Sequence, residues 1–224
     1  MKAQEHWTRG GAVLVVVVCC LLVFTTADAQ SKKSAKQTES LEKAGDSAQE
    51  AVQDVLNDLR DLLTGYNSII TGEAKDAQSA YKKLVNNYKG TEKSIDGAKK
   101  QVAALNKEAD KFFKAWEQDL ANISSDSVRE KSANRMEVAK KRYASIGETL
   151  GKAREELAPV VQNLNDQILY LGRDLSPEAV ADLQDEAEAL NQQATEVAAK
   201  VKEMLQSAEK AQDEADAELE GDGE

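Results

Sequence analysis

Residues 156–184, ELAPVVQNLNDQILYLGRDLSPEAVADLQ, contain both prolines of the chain and, outside its first 29 residues, the densest run of large apolar residues. Ser176 before Pro177 is typical of a helix start, because serine caps free N–H groups and proline at the first helical position has none to lose. Pro159 lies inside an unbroken apolar pattern, so we expect a kink near Pro159 that serves as a hinge. The stretch is predicted to be the corner between two long helices.

Apolar residues follow the alternating three-and-four spacing of a heptad through most of the chain. The last segment keeps this spacing from Val180 to Ala215, and the segment before it from Met136 to Leu164. A third run extends from Ala77 to Trp116, with Thr91 as its only polar member, and a shorter run extends from Leu41 to Ile69.

These runs predict an all-α fold of four helices, at about residues 36–70, 74–120, 128–174 and 177–217. Short connections favour antiparallel neighbours, so we expect an elongated up-down-up-down four-helix bundle, a coiled-coil rod. Thr71-Gly72 should end the first helix, and Ser127 with Glu130 has the spacing of a capping box for the third. The bundle domain is expected over residues 30–217, followed by an acidic disordered tail at 218–224.

Residues 1–29 have the pattern of a secretory signal peptide. A segment with Lys2 and Arg9 precedes an uncharged apolar run, and Ala27 and Ala29 fit the small-residue cleavage site. An uncleaved anchor and lipid attachment at Cys19 or Cys20 are the alternatives. We therefore expect an exported protein, periplasmic or extracellular, whose association with the envelope is left open.

Charge and composition exclude several classes of function. The formal net charge of −11 argues against nucleic acid as a partner. Cleavage after Ala29 would remove both cysteines and the only histidine, His6. No Asp, Glu, Lys, Arg or His occupies a position in the apolar runs, and no phosphate-binding or nucleophile motif is present. We expect no catalytic residues, no metal site and no cofactor, and hence not an enzyme.

The corner stretch is the candidate interaction patch. Its polar members are Asp166, Gln167, Tyr170 and Arg173, and Trp116 is expected at the same end of the rod. The alternative is purely structural, with the apolar residues packing the corner and Asp166 or Asp174 pairing with Arg173. Apolar residues beside the heptad runs offer a second surface, for self-association. They are Leu56, Leu63, Val85 and Phe113.

Four pieces of the chain carry a family resemblance. They are ADKFFKAWEQDL (109–120), Tyr143 in KKRYASI, LAPVV around Pro159, and DQILYLGRDLSPEAVADL (166–183). From about Tyr81 to Leu205 the chain resembles the bacterial family known as domain of unknown function 2959. The resemblance implies an exported, wholly helical envelope protein and assigns no activity. Many members begin with a lipoprotein cysteine, a pattern from which Val18-Cys19-Cys20 departs.

Together these observations favour a non-catalytic structural or interaction protein of the bacterial cell envelope, with a protein partner or a second copy on its polar faces. The alternative is a helical-bundle carrier or membrane-associated protein that opens along its apolar seam to bind a lipid or another apolar ligand. Alanine-rich layers between the last two helices would make such opening less costly than a leucine core would.

Overall fold

The computed structural model describes the backbone of residues 28–221 and, within that range, the side chains of residues 36–207. The described chain is all-helical and contains no strand. Its helices are α1 (Asp28–Ile70), α2 (Ala77–Ala121), α3 (Asp126–Leu171), α4 (Pro177–Ala181) and α5 (Gln184–Gly221). The all-α prediction is confirmed.

The last predicted helix, 177–217, is wrong as a single element, because the structure divides it into α4 and α5. Ser176 caps α4 as predicted, and its Oγ accepts a hydrogen bond from the Ala179 N–H at 3.3 Å. The break follows at Asp182, where the Leu183 N–H bonds to the Val180 carbonyl at 3.2 Å. This shorter-range bond tightens the turn before α5 begins.

Two other helix ends depend on local hydrogen bonds. Gly72 ends α1 with a φ of 72°, a left-handed conformation that glycine adopts without a steric penalty. Asp76 sets the start of α2 at residue 77 rather than 74, since its Oδ1 accepts from the Gln78 and Ser79 N–H groups at 3.1 and 3.2 Å.

The start and end of α3 both differ from the prediction of 128–174. The capping box at Ser127 and Glu130 is wrong, because α3 has already begun at Asp126. Arg129 closes this turn instead, since its Nη1 donates to the Ile123 carbonyl at 2.8 Å and its Nη2 to Asp126. At the other end α3 stops at Leu171, with Gly172 as its C-cap.

The heptad runs form the core. Residues that are fully shielded from solvent recur along α1, α3 and α5, and on α2 they alternate with half-buried ones. Thr91 is the only buried polar residue among the described side chains, and its Oγ1 donates to the Asn87 carbonyl at 3.2 Å. The largest fully buried side chains are Tyr66, Leu41, Leu62, Leu84, Leu105, Leu150, Leu157, Leu164, Leu171, Leu190, Val52 and Val55.

The residues predicted to remain for self-association are buried or half-buried. Leu56 and Phe113 are buried, and Leu63 and Val85 are half-buried and pack on the core. The apolar face of each helix is therefore wider than a strict heptad seam, as in globular helical bundles. A strict heptad seam, with two apolar positions in seven, underestimates this width, and self-association through these residues stays a prediction.

Side-chain contacts join the long helices in pairs. On α1 and α2, the Ser94 hydroxyl donates to Asp58 at 2.5 Å. On α2 and α3, the Trp116 indole N–H donates to Ser132 at 3.0 Å, and on α3 and α5, Lys200 pairs with Glu156 at 2.5 Å. Each pair is also packed along apolar residues, so α3 lies between α2 and α5.

Pro159 lies within α3, which continues on both sides of it, and its side chain is exposed. The proline ring therefore lies on the outer face of α3, away from the buried side chains of the helix. The kink and hinge predicted at Pro159 stay a prediction.

The predicted domain limits, with a signal peptide at residues 1–29, a bundle domain at 30–217 and an acidic tail at 218–224, stay a prediction. Residues 1–27, with most of the predicted signal peptide and Ala27, lie outside the described residues, and Ala29 is part of α1. α5 continues to Gly221, into the predicted tail, and residues 222–224 lie outside the description. Within the described residues no helix is apolar over a length sufficient to cross a membrane.

Truncation of a core leucine should destabilise the protein strongly. Leu164 is 0% exposed, so Leu164→Ala removes buried methyl groups and leaves a cavity, and we expect a loss of about 2–5 kcal/mol in the free energy of unfolding. Leu169→Ala, on the same helix and 61% exposed, is the matched control and should change it by less than about 0.5 kcal/mol. Urea denaturation followed by circular dichroism measures both, and equal losses would contradict the assigned core.

Candidate interaction surface

The predicted patch residues do not form a single cluster. Asp166, Gln167 and Tyr170 lie in the last turns of α3, and Arg173 follows its end. Trp116 lies near the end of α2, where its indole bonds to Ser132 early in α3. Because Ser132 and Asp166 are on one continuous helix that rises 1.5 Å per residue, they are separated by about 50 Å. The prediction that Trp116 is at the same end was wrong.

Trp116 belongs to an aromatic group at the opposite end of the molecule. Its ring packs edge-on against Phe112 at 5.6 Å, and Phe112 packs likewise on Phe113 at 5.3 Å. Tyr143 extends the group, with 6.2 Å between its ring and that of Phe113. This geometry is typical of core packing, so Trp116 has a structural role here.

Beneath the remaining patch lies a set of polar contacts that connects four helices, which we call the polar layer. Its members are Tyr66 and Asn67 of α1, Tyr81 of α2, Gln167 of α3 and Asn191 of α5. The Tyr66 hydroxyl donates to Gln167 Oε1, and Gln167 Nε2 donates in turn to the Glu186 carbonyl at 3.5 Å. Gln167 is therefore a structural bridge rather than a free surface group.

The second half of the polar layer joins α1 and α5. Asn67 and Asn191 exchange amide hydrogen bonds of 2.8 and 2.9 Å, and Asn191 also donates to the Ala187 carbonyl at 2.8 Å. The Tyr81 hydroxyl donates to the Ile168 carbonyl at 3.1 Å, which joins α2 to α3. Polar pairs in an apolar seam favour one alignment of the helices, because any shift leaves them without partners.

Two apolar side chains that follow Gln167 closely on α3 are exposed. Leu169 is 61% and Tyr170 42% exposed, and they are the exposed large hydrophobic residues among the described side chains. The Tyr170 hydroxyl donates to Asp182 Oδ2 at 3.2 Å. This bond raises the pKa of Tyr170, and the charges of Asp174 and Glu186 act in the same direction. The exposed tyrosine is thus surrounded by carboxylates.

The purely structural alternative for the patch had an ion pair at Arg173, and this prediction was wrong. Asp166 accepts from Gln162 at 3.0 Å, and Asp174 accepts from the Ser176 N–H at 2.8 Å. Neither carboxylate pairs with Arg173 among the described residues. Asp174 instead shapes the turn into α4, so Arg173 extends from the corner into solvent.

Close packing at Gly172 fixes the end of α3 against α2. A Cβ atom at Gly172 would collide with the Tyr81 hydroxyl and lie 3.3 Å from the Leu169 carbonyl. By contrast, a Cβ at Gly151 would meet nothing within 4 Å. The glycine in the LGRD segment therefore permits the Tyr81 hydrogen bond.

Ionisable groups that could support catalysis are not gathered in the described interior. The described residues contain no group of three or more His, Cys, Asp or Glu side chains placed to hold a metal ion. One half-buried charged residue is Glu42, whose buried Oε1 has no hydrogen-bond partner. Burial and the neighbouring Asp46 raise the pKa of Glu42.

Asn67, Tyr81 and Asn191 were not identified from the sequence as a polar layer. Asn67 and Asn191 lie beside the core positions of their helices, where an amide is ordinarily solvated. Tyr81 is itself a member of the apolar heptad run on α2. The heptad pattern does not show which group its hydroxyl contacts. An amide adjacent to the core near each corner is the signal that could have indicated them.

The chain belongs to the family described as protein of unknown function (DUF2959), which matches residues 28–217. The match confirms the resemblance found in the sequence and extends it over α1. Neither a curated protein nor a solved structure matches the chain.

Removal of the Tyr66 hydroxyl should test the polar layer. Tyr66→Phe leaves Gln167 Oε1 without its donor in a largely buried site. We expect a loss of about 1–3 kcal/mol in the free energy of unfolding, measured by urea denaturation. Tyr170→Phe is the matched control, since its hydroxyl bond is exposed, and should cost under about 0.5 kcal/mol.

The difference in stability between the wild type and Tyr66→Phe is predicted to depend on pH. Burial raises the pKa of Tyr66 above its ordinary value of 10.0, and the charge of Glu186 adds to the rise. The folded state favours the neutral hydroxyl of Tyr66. The stability that this hydroxyl contributes is therefore fully present below about pH 10 and is lost as the pH rises toward the pKa of Tyr66 in the folded state. The stability difference between wild type and Tyr66→Phe should therefore narrow above about pH 10 in urea titrations. A difference that widened there would contradict the assignment.

Substitution of Gly172 should destabilise the protein, because an added Cβ atom collides with the Tyr81 hydroxyl. Gly172→Ala must displace the Tyr81 hydroxyl, with an expected cost of about 1–3 kcal/mol, and the additional change Tyr81→Phe should recover part of it. Gly151→Ala, in an open position on the same helix, should instead stabilise by up to about 1 kcal/mol. Thermal unfolding of the three variants and the wild type measures these effects, and equal effects at both glycines would contradict the close contact.

Proposed function

We propose that this protein is a non-catalytic structural or interaction protein exported to the bacterial cell envelope, and that it docks a protein partner through the corner at the end of α3. The observation that carries the proposal is the exposed Leu169-Tyr170 pair above the polar layer. Large apolar side chains that remain exposed on a rigid support are typical of interaction sites.

The proposed architecture is an elongated rod of long helices that run up, down, up and down, with a kink near Pro159. Its support is the order of the contacts between helices. Ser40 bonds to Glu108 and Asp58 to Ser94, so later residues of α1 meet earlier residues of α2. At 1.5 Å per residue, the 45 residues of α2 would extend about 65 Å.

The same arrangement supports the α2–α3 and α3–α5 pairs. Tyr81 reaches Ile168 while Trp116 reaches Ser132, and Asn163 bonds to Gln193 while Glu156 pairs with Lys200. A rod of this kind presents long polar faces and one distinctive corner, which suits a spacer or a docking platform better than a closed binding pocket.

The proposal that the protein is not an enzyme is supported by its interior. Helical bundles that catalyse reactions project ionisable or metal-binding side chains inward from facing helices. In the described part of the chain the corresponding positions are apolar, with Thr91 as the buried polar exception. Neither a general base nor a nucleophile is aligned there.

Export is proposed from the N-terminal sequence alone. The charged start, apolar run and small residues through Ala29 are typical of a signal peptide, and the net charge of −11 suits neither nucleic acid nor an anionic membrane surface. A periplasmic or extracellular location, with attachment to the envelope through the docked partner, agrees with both features.

One observation supports the alternative function, a helical-bundle carrier of a lipid or another apolar ligand. Ala153 of α3 and Ala187 and Ala194 of α5 are buried, so part of the seam between these helices consists of small side chains. Separation of such a seam exposes less apolar area than separation of leucine layers. A lipid bound along it is therefore a distinct outcome of the experiment below.

Photo-crosslinking in the native host tests the proposal. A photoreactive amino acid at Leu169 should give a defined protein adduct in envelope fractions. The control is the same amino acid at Ala158, which is exposed on nearly the same face of α3 about three turns away. A protein adduct at Leu169 that is at least about tenfold stronger than at Ala158 supports the proposal. Equal labelling at the two positions, or a lipid adduct only, would refute it.

A further inference from the structure

One surface of the described chain is strongly acidic. Between Asp174 and Ala199 the sequence contains seven acidic residues and no lysine or arginine. All seven are exposed, and none forms an ion pair among the described residues. We call them the acidic face, and its members are Asp174, Glu178, Asp182, Asp185, Glu186, Glu188 and Glu196.

The acidic face is not only a charge cluster, because apolar anchors adjoin it. The Tyr170 hydroxyl donates to Asp182, a member of the acidic face, and Leu169 directly precedes Tyr170 on α3. The resulting surface combines an exposed aromatic ring, an exposed leucine and carboxylates that form no ion pair among the described residues. Its complement is a surface of lysine side chains, whose ammonium groups pair with carboxylates and stack on aromatic rings while their methylene stems cover apolar atoms.

A surface of this kind is present on the same chain. From Lys82 to Lys100, α2 contains six lysines and only two acidic residues, Glu92 and Asp96. All six lysines are exposed, and none forms an ion pair among the described residues. We call them the lysine face, and its members are Lys82, Lys83, Lys89, Lys93, Lys99 and Lys100.

The heptad spacing gathers these lysines. Lys82 and Lys89 are seven residues apart, as are Lys93 and Lys100, so each pair shares one side of α2 two turns apart. The core positions Leu84, Thr91 and Ala98 keep the same register on the inner side. The four lysines at positions 82, 89, 93 and 100 are thus directed away from the packed seam, and Lys83 and Lys99 flank them on either side.

The two faces cannot neutralise each other within one molecule. α2 packs mainly on α1 and α3, and α5 packs mainly on α3, so these helices separate the lysine face from the acidic face. Both faces nevertheless extend from the same end of the molecule. The contact of Tyr81 with Ile168 places the start of α2 there, and the contact of Tyr170 with Asp182 places α4 there.

We infer that copies of this chain associate side by side, with the lysine face of one copy on the acidic face and the Leu169-Tyr170 pair of the next. The inference rests on the proposed function, because it assigns a second copy as the partner of the same corner. The two contacting surfaces differ, so the contact is heterologous and leaves one face free at each end. Repetition therefore produces open chains, or closed rings where the rotation between neighbouring copies closes.

The net charge of −11 does not oppose this contact at moderate salt. At an ionic strength of 0.1 M, charges more than about 10 Å apart are largely screened, while opposite charges in direct contact are not. The association should therefore be strongest at low to moderate ionic strength and weaken as salt screens the facing charges.

Sedimentation of the purified mature protein tests the inference first. In about 0.1 M salt the weight-average mass should rise with protein concentration, and in about 1 M salt, where screening reaches about 3 Å, it should return to that of the monomer. A monomer at every concentration in the lower salt would overturn the inference, and so would association that does not respond to salt.

Charge reversal identifies the surfaces. Lys89→Glu with Lys93→Glu should weaken self-association at least about tenfold, and Asp185→Lys with Glu188→Lys should do the same, because each places like charges in contact. An equimolar mixture of the two variants should associate again. The matched control is Lys131→Glu with Lys141→Glu, exposed positions elsewhere on α3, and it should associate as the wild type does. Loss of association in the control, or failure of the mixture, would overturn the assignment of the faces.

Crosslinking separates failure of this inference from failure of the proposed function. In a mixture of two differently tagged copies, the photoreactive group at position 169 should join the two tags. If it labels a different envelope protein while sedimentation shows a monomer, the inference fails and the proposed function stands. If it labels nothing above the Ala158 control, both fail.

Discussion

The packing of apolar heptad positions against one another is the interaction on which the rest of this structure depends. Each of α1, α2, α3 and α5 contributes leucine, valine, isoleucine or alanine side chains to one continuous core. At about 25 cal/mol per Å² of apolar surface removed from water, this burial is the main favourable contribution to folding. No Asp, Glu, Lys or Arg is among the fully buried described residues, and Glu42 and Arg142 each have a buried polar atom at the margin of the core.

A uniform apolar seam, however, does not by itself select one alignment, because helices with similar layers can slide by a turn. The polar layer at one end removes this ambiguity. Tyr66 with Gln167, and Asn67 with Asn191, satisfy each other only in the observed register, and the Tyr81 hydroxyl reaches a backbone carbonyl of α3. The same contacts hold the end of α3 rigid. These contacts and the exposure of Leu169 and Tyr170 are the basis on which we propose a docking surface at this corner.

Charge has a different distribution from apolar packing. Acidic residues cluster on α4 and the first part of α5, whereas lysines cluster on the first part of α2. Inside one molecule these surfaces are separated by α1 and α3, so their complementarity has no intramolecular use. Proteins with unpaired surfaces of opposite sign can use them between molecules, where attraction depends on salt and on the register of the two surfaces.

The sequence by itself determined the all-helical class, the approximate extents of the first three helices and most of the core, since heptad spacing, Gly72 and Ser176-Pro177 act through contacts within a few residues of the chain. It could not place Trp116 relative to Asp166, locate the break at Asp182, or pair Gln167 with Tyr66. These features depend on which residues of different helices lie at the same level, and that level is set by side-chain packing and by the turn lengths. The corner surface was visible as a motif, but only the tertiary structure decided that Gln167 supports it from below, that Leu169 and Tyr170 remain exposed, and that the acidic and lysine faces lie apart. Local spacing fixes the side of a helix on which a residue lies, whereas its neighbour across the bundle is fixed only when the helices pack.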